Sequence, residues 1–309
     1  MGLFFKKSTI AENRIENSGR WPVRLTHFYL IDEYEFPATN FPEIFVVQEG
    51  NFLHETDVGT QAIREGAAIM VNPGMRHAVK QPEEVLITRV RFLPEWLTEE
   101  YQIIANSPDL LALFFDQSWF RHPRDEKLHV FTTRGEGTVR IRQELDYLWE
   151  ILRGKRQLDP IARVSVLKLL MLLTEEYRRF WRGVSEVEIL PEVKHALDRI
   201  ESTILRAAPF EPAKMARGGF EKKAIEESFE NTIGMSLSDY AHRRRVFHAA
   251  CRLLTSREEP RRISKEFGFT SMAEFRREFE AVFEISPTVY RDKFGVPTVD
   301  SSLISEEGA

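Results

Sequence analysis

Ile263–Arg291, ISKEFGFTSMAEFRREFEAVFEISPTVYR, reads as a helix, a glycine turn, a second helix and a Ser-Pro exit. Ser271 is placed to cap the second helix, and Glu274, three residues on, can reach back to it. Met272, Phe275, Phe279 and Val282/Phe283 recur at helical spacing and make one apolar face. Ala273, Arg276, Arg277 and Glu280 fall on the other. A short helix, a tight turn at Gly268 and a second helix offering small residues and arginines outward is the geometry with which a helix-turn-helix enters a DNA major groove. Double-stranded DNA is therefore the first partner this stretch implies, with Ser271, Met272, Ala273, Arg276 and Arg277 as its readers.

Around that stretch lie 309 residues, long for a single core, so two domains are expected. With 42% hydrophobic and 29% charged residues the composition is that of an ordinary globular protein. A single cysteine, Cys251, excludes an internal disulfide and a cysteine-rich zinc site, and fits a reducing cytoplasm. No apolar run approaches the ~18–20 residues that span a bilayer, so no membrane role is read. The net charge of −5 runs against a nucleic-acid binder, but it is unevenly placed. Arg243–Lys293 holds 12 Lys/Arg against 8 Asp/Glu, whereas Pro191–His242 holds 7 against 9. Phosphate contact depends on local placement, and only the last segment has a cationic bias.

Residues of about 20–95 read as short strands between Gly and Pro turns. Val23–Tyr29 alternates, Ile44–Val47 runs into a Gln-Glu-Gly-Asn turn, Ala67–Val71 follows Arg64-Glu65-Gly66, and Val85–Phe92 alternates again. This pattern predicts a small antiparallel barrel or sandwich. Helices are expected over Glu99–Phe115, Thr138–Leu152 and, after an Asp159-Pro160 start, through about Trp181. The last has a broad apolar face, which serves equally a helix packed on its own barrel or a dimer interface. Residues 1–182 make the first domain, 183–190 a polar linker, 191–295 the second domain, and 296–309 a small, polar, acidic tail expected to be disordered.

The C-terminal part resembles the paired helix-turn-helix domain of the arabinose-regulator (AraC/XylS) family of bacterial transcription factors. The resemblance is carried by Ile263–Arg291 and by GMSLSDYAHRRRVFHAACRLL (Gly234–Leu254). In the latter, Gly234 ends one helix, Ser236 with Asp239 opens the next, and Tyr240, Arg245, Ala249 and Leu253-Leu254 keep the family's spacing along the helix joining the two modules. The first module keeps a hydrophobic frame in Met215-Ala216, Gly219-Phe220, Ile225 and Phe229. Glu226, Glu227 and Glu230, however, stand where the family commonly has Ser, Arg and Lys. Carboxylates repel phosphates, although Glu can accept from a cytosine amino group, and Lys222 and Lys223 are the cations of that helix. EIFVVQEGNF (Glu43–Phe52), REGAAIMVNPGMRHAV (Arg64–Val79) and RVRF (Arg89–Phe92) resemble the family's cupin sensing barrel. The resemblance thus implies a two-domain α+β chain: a cupin-like β-barrel with a helical dimerisation segment, then an all-α paired helix-turn-helix domain. It also implies a homodimeric, effector-responsive regulator of transcription that is not an enzyme.

Enzymatic cupins hold a metal with two histidines and a glutamate from one motif and a histidine from the next. Here only Glu43 and His77 stand at such positions, too few for a catalytic centre, so no metal and no cofactor is expected. Trp21, His27, Glu43, His77, Arg89 and Arg91 are the candidate effector-binding residues. A sugar or hydroxy-acid would use Arg and Glu for directed hydrogen bonds and an aromatic ring for stacking. Strand alternation places Arg89 and Arg91 opposite Val90 and Phe92, on a face that is either pocket or solvent. In Arg243-Arg244-Arg245, the family position of Arg245 faces inward to an ion pair, while Arg243 and Arg244 are placed for phosphate or for a solvated face. Arg262 precedes the last module's first helix, where phosphate contact is expected. Two other readings stay open: a metal-dependent cupin enzyme acting on a small molecule, and a regulator that works mainly through protein contacts.

Overall fold

The computed structural model describes residues 14–16, 21–115, 129–156, 158–181, 189–208, 210–212 and 221–295. Most of the expected linker, the expected disordered tail and the Met215–Phe220 part of the first module lie outside them. The chain forms two compact units, one of residues up to Pro191 together with Glu230–Met235, the other of Glu192–Phe229 and the residues from Ser236 on.

The first unit is built on an antiparallel sheet whose strands, among the described residues, are β1 Arg14–Glu16, β2 Val23–Leu30, β3 Tyr34–Phe36, β4 Glu43–Thr56, β5 Gly59–Arg64, β6 Ala67–Val71, β7 His77–Phe92 and β8 His129–Thr132. They run in the order β1-β2-β7-β4-β6-β8, with β3 on β7 and β5 on β4. The strands share one apolar interior, which includes Phe28, Phe36, Phe45, Val47, Ile69 and Ile87. The Gln-Glu-Gly-Asn turn expected after Val47 is not a turn. β4 continues through it, with register shifts against β7 between Val47 and Leu53. Gly50 makes the bend possible: its φ is +83°, and a Cβ there would lie 2.5 Å from the Glu83 carbonyl oxygen.

After β7 come a short 3-10 helix, Pro94–Glu100, then α1 Tyr101–Ala105, α2 Pro108–Phe114, α3 Glu136–Arg153 and α4 Pro160–Phe180. The single helix expected over Glu99–Phe115 is thus three short ones, broken at Ser107-Pro108, where proline starts a new first turn. α4 opens as its sequence indicates: the Asp159 carboxylate accepts from the Ile161 N–H at 3.0 Å, with Pro160 in the first turn. It buries Ala162, Val166, Leu169, Leu170, Leu173 and Tyr177. α3 packs beside it, where the buried Glu144 carboxylate accepts from the Ser165 hydroxyl and pairs with Lys168 at 2.6 Å.

The second unit is helical: α5 Pro191–Leu205, α6 Lys222–Ile233, α7 Leu237–Thr255, α8 Pro260–Glu266, α9 Met272–Phe283 and α10 Pro287–Phe294. Ser236, Ser271 and Ser286 each accept the N–H three residues on, at 3.1–3.3 Å, so α7, α9 and α10 all begin with a serine cap. The turn between α8 and α9 needs Gly268, at φ +74° with the Ala207 carbonyl oxygen 3.2 Å from where a Cβ would stand. Phe275 and Phe279 of α9 are fully buried, Phe279 against Tyr290 of α10. No helix among the described residues is long and apolar enough to cross a membrane.

Candidate DNA-reading helix and barrel site

α9 presents outward the residues expected to read DNA. Ser271, Met272, Ala273, Arg276 and Arg277 are all exposed, because the helix turns its Phe275–Phe279 face into the core. Arg276 Nε donates to Glu280 Oε1 at 2.7 Å one turn along. That carboxylate holds the Arg276 guanidinium protonated even more firmly than usual, first through the hydrogen bond and then through its charge. Glu274 reaches back as expected but to a different residue: its carboxylate accepts from the Thr270 N–H and hydroxyl, at 2.6 and 2.5 Å.

The helix is held at its back by Arg245 of α7. Its guanidinium pairs with Glu278 at 2.7 Å and Glu274 at 3.2 Å, donates to the Gly268 carbonyl at 3.3 Å and lies 4.2 Å from the Phe269 ring centroid. One side chain thus ties the turn and α9 to the long helix, with the ion pair that the family resemblance implies at this position.

Arg244 does not face phosphate. It is fully buried and pairs with Glu201 of α5, which also accepts from His248 Nε2 at 2.7 Å. A one-residue step along a helix rotates the side chain by ~100°, and that carries Arg244 into the α5–α7 interface. Burial alone would raise the Glu201 carboxyl; the Arg244 charge and the His248 hydrogen bond outweigh it and hold the group at about 2. Arg243 is half-buried, 5.3 Å from the Phe247 ring centroid, and Arg262 is exposed near Glu258 at 3.7 Å. On α6, Lys222 and Lys223 are exposed, each 3.5 Å from a carboxylate one turn on, Glu226 and Glu227.

Inside the barrel the register arranges the polar candidates in rows. Arg24 of β2 lies opposite Arg91 of β7, which lies opposite Glu43 of β4. Two residues along on the same face, Thr26 lies opposite Arg89, which lies opposite Phe45. The next row, Phe28, Ile87 and Val47, is apolar. One end of the interior is therefore charged and the rest is hydrocarbon. Arg89 and Arg91 face this interior, not solvent. Glu43 is the hub: Arg89 is 3.4 Å away, Arg91 3.9 Å, and His77 3.7 Å. Trp21 is buried at the same end, with the guanidinium carbons of Arg24 and Arg91 at 5.0 and 5.8 Å from its ring centroid.

His27 belongs elsewhere. It alternates with Arg24, Thr26 and Phe28, so it points out of the barrel, bonded to Thr88 Oγ1 at 2.9 Å and edge-on to Trp149 of α3 at 4.6 Å. Burial depresses it to about 4. In its place the structure brings in three residues that the sequence reading passed over, Arg24, Thr26 and His54. His54 Nε2 shares a 2.9 Å hydrogen bond with His77 Nδ1, and burial, then the neighbouring His77 charge, depress it to about 3. His77 stacks on Phe36 and borders a recess of about 520 Å³ that is also lined by Arg76, Glu35, Glu55 and Asp57. Among the described residues no three His, Cys, Asp or Glu side chains group as a metal site. The two imidazoles spend facing nitrogens on each other.

A family model described as a helix-turn-helix domain matches residues 216–293. Over 280 residues, 90% of this chain and 91% of the relative, the sequence is 23% identical to the HTH-type transcriptional activator RhaR of Yersinia pseudotuberculosis. Over 73 residues, 24% of this chain and 54% of the relative, it is 34% identical to the HTH-type transcriptional activator AarP of Providencia stuartii. Among solved structures it is similar to ToxT from Vibrio cholerae, at 13% identity and a TM-score of 0.43 over 91% of this chain and 98% of that one. The serine-capped helix pair, the arginine that braces it and a match to transcriptional activators along nearly the whole chain lead to one assignment: the protein carries a helix-turn-helix domain and is a DNA-binding regulator of transcription.

Proposed function

We propose that this regulator reads its operator chiefly through α9 and that a small molecule held at the charged end of the barrel governs the reading. The observation that carries the first part is the division of α9 into a buried Phe275–Phe279 face and an exposed Ser271, Met272, Ala273, Arg276, Arg277 face. Arg277 is the principal base reader, because Arg276 must first leave Glu280. Arg243, Arg262, Lys222 and Lys223 serve phosphate contacts, with the α6 lysines weakened by the carboxylates beside them. Arg277→Ala weakens binding to an operator selected by the wild-type chain by ~1–3 kcal/mol and relaxes its preference at one base pair. Unchanged affinity in a fluorescence-anisotropy titration at fixed salt removes Arg277 from the reading surface.

The barrel supplies the control. Glu43, Arg89, Arg91, Trp21 and His77 meet at one end of its interior, a set of directed polar groups beside an apolar body, which is what a small-molecule site requires. An effector shifts operator affinity only by binding two states of the protein unequally. The chain acts as a cytoplasmic homodimer rather than as an enzyme. Val164 and Met171 on α4, and Tyr147 on α3, are half-exposed apolar groups placed for the partner copy. Met171→Glu shifts the chain to monomer in size-exclusion chromatography with light scattering; an unmoved elution rejects that face.

A further inference from the structure

We propose that Glu280 is a specificity-determining residue: it holds the Arg276 guanidinium back from phosphates and yields it to a base edge, so that it weakens binding to unrelated DNA more than binding to the operator. This rests on the reading of α9 given above and adds to it a residue that is not itself the principal reader. α9 exposes two neighbouring arginines in different surroundings. Arg276 Nε donates to Glu280 Oε1 at 2.7 Å. Arg277 has alanines, Ala273 and Ala281, four residues away on either side, and its guanidinium has no hydrogen bond or ion pair among the described residues. The guarded arrangement recurs on α6, where Lys222 and Lys223 lie 3.5 Å from Glu226 and Glu227. In each of these pairs the cation stands first and the acid four residues toward the C-terminus.

Helix stability gives little reason for that order. A cation N-terminal to its acid is the weaker arrangement of a pair one turn apart. Lys222 and Lys223 also stand in the first turn of α6, where the helix dipole disfavours positive charge. Discrimination between DNA sites gives a better reason. Unrelated DNA is held through its phosphates, whereas an operator also offers base edges. A phosphate that takes Arg276 from Glu280 breaks the pair and then sets its own negative charge beside the vacated carboxylate. A guanine edge breaks the same pair, but it is uncharged and meets the guanidinium fork with two acceptors, O6 and N7. The released Glu280 carboxylate is then placed to accept from a cytosine amino group in the groove. Phosphate contact is thus penalised twice and guanine contact once. Because unrelated sites far outnumber an operator, the ratio of the two affinities decides occupancy. Acidic residues on the DNA-facing helices then help a chain of net charge −5 to select its site.

The test titrates the full chain by fluorescence anisotropy against an operator selected by the wild-type chain and against a scrambled duplex of the same length, across a salt series. Glu280→Gln tightens binding to the scrambled duplex roughly fivefold at about 0.1 M salt and steepens its salt slope by about 0.9, as one further phosphate contact requires. Operator binding changes by less than about twofold, so the ratio falls. Glu280→Asp keeps the charge and retains the wild-type slope. In an Arg276→Ala background Glu280→Gln moves both duplexes alike, since the guanidinium it restrained is gone. Equal tightening on both duplexes with Arg276 present, or an unchanged slope and ratio, overturns the proposal. Arg277→Ala in the same titration keeps the two readings apart. If it weakens operator binding while Glu280→Gln leaves the ratio unmoved, α9 reads the operator and Glu280 does not set its specificity. Operator affinity unmoved by Arg276→Ala and Arg277→Ala alike removes α9 as the reader, and this proposal with it.

Discussion

Replacing Glu201 by Gln removes the charge on which the buried Arg244 guanidinium of the helical unit depends, at a position that also hydrogen-bonds His248. In the folded chain Arg244 is fully buried and His248 is 4% exposed, both bonded to this carboxylate across the α5–α7 interface. The carboxyl is held at about 2 against an ordinary 4.5, which at ~1.4 kcal/mol per unit corresponds to about 3 kcal/mol of stabilisation at neutral pH. Breaking a buried pair from one side costs ~3–5 kcal/mol, because the remaining charge is left uncompensated, so both routes give a similar figure. All five tryptophans, Trp21, Trp96, Trp119, Trp149 and Trp181, precede Pro191, so tryptophan fluorescence reports the first unit. Far-UV circular dichroism reports the helices of both. In urea, Glu201→Gln unfolds a fraction of the helical signal early, while the fluorescence transition stays in place. The Glu201→Gln, Arg244→Met double variant recovers most of the loss, because it leaves no orphaned charge. The pH dependence has a definite sign. A depressed carboxyl stabilises fully above its unfolded value near 4.5 and loses that contribution as pH falls through about 2. The gap between wild type and variant therefore narrows across that window. A gap below about 1 kcal/mol at pH 7, or one that widens on acidification, refutes the assignment of Arg244 to this interior pair.

Two further outcomes follow from the barrel. Gly50→Ala destabilises the first unit by ~1–3 kcal/mol, since φ +83° is strained for alanine and the added methyl meets the Glu83 carbonyl; an unchanged fluorescence midpoint in urea removes the bend from the account. Burial depresses His27 to about 4 and His54 to about 3, so the unfolded chain takes up these protons first as pH falls. Stability of the first unit declines from about pH 6.5 toward 4, and His27→Gln flattens part of that decline in fluorescence-monitored melts; an identical slope in the variant rejects a buried neutral His27.

The helix-turn-helix was legible because its signals are local. Serine caps, the Gly268 turn and the Phe275–Phe279 spacing lie within one contiguous stretch, and a helix assigns faces by spacing alone. The barrel was legible as short strands but not as a site. β4 was cut at Gly50 because a glycine between polar residues looks the same in a turn and in a bent strand, and His54 beyond it was lost with that cut. Alternation separated Arg89 and Arg91 from Val90 and Phe92, yet both faces of this sheet are covered, one by the interior and one by helices. Alternation sorts side chains into two sets without saying which is inside.

What the sequence determined by itself is the order of a strand-rich part before a helical one and the capped α9 with its outward Arg276 and Arg277; the ion pair at Arg245 came from the family resemblance. Tertiary structure decided the rest. Arg24 faces Arg91 across 67 positions of chain, Arg244 finds Glu201 across 43, and His27 leaves the pocket for Trp149. Caps and periodicity are short-range properties written in neighbouring residues. Strand register and the partner of a buried charge are set by which distant segments pack together, so they exist only once the chain has folded.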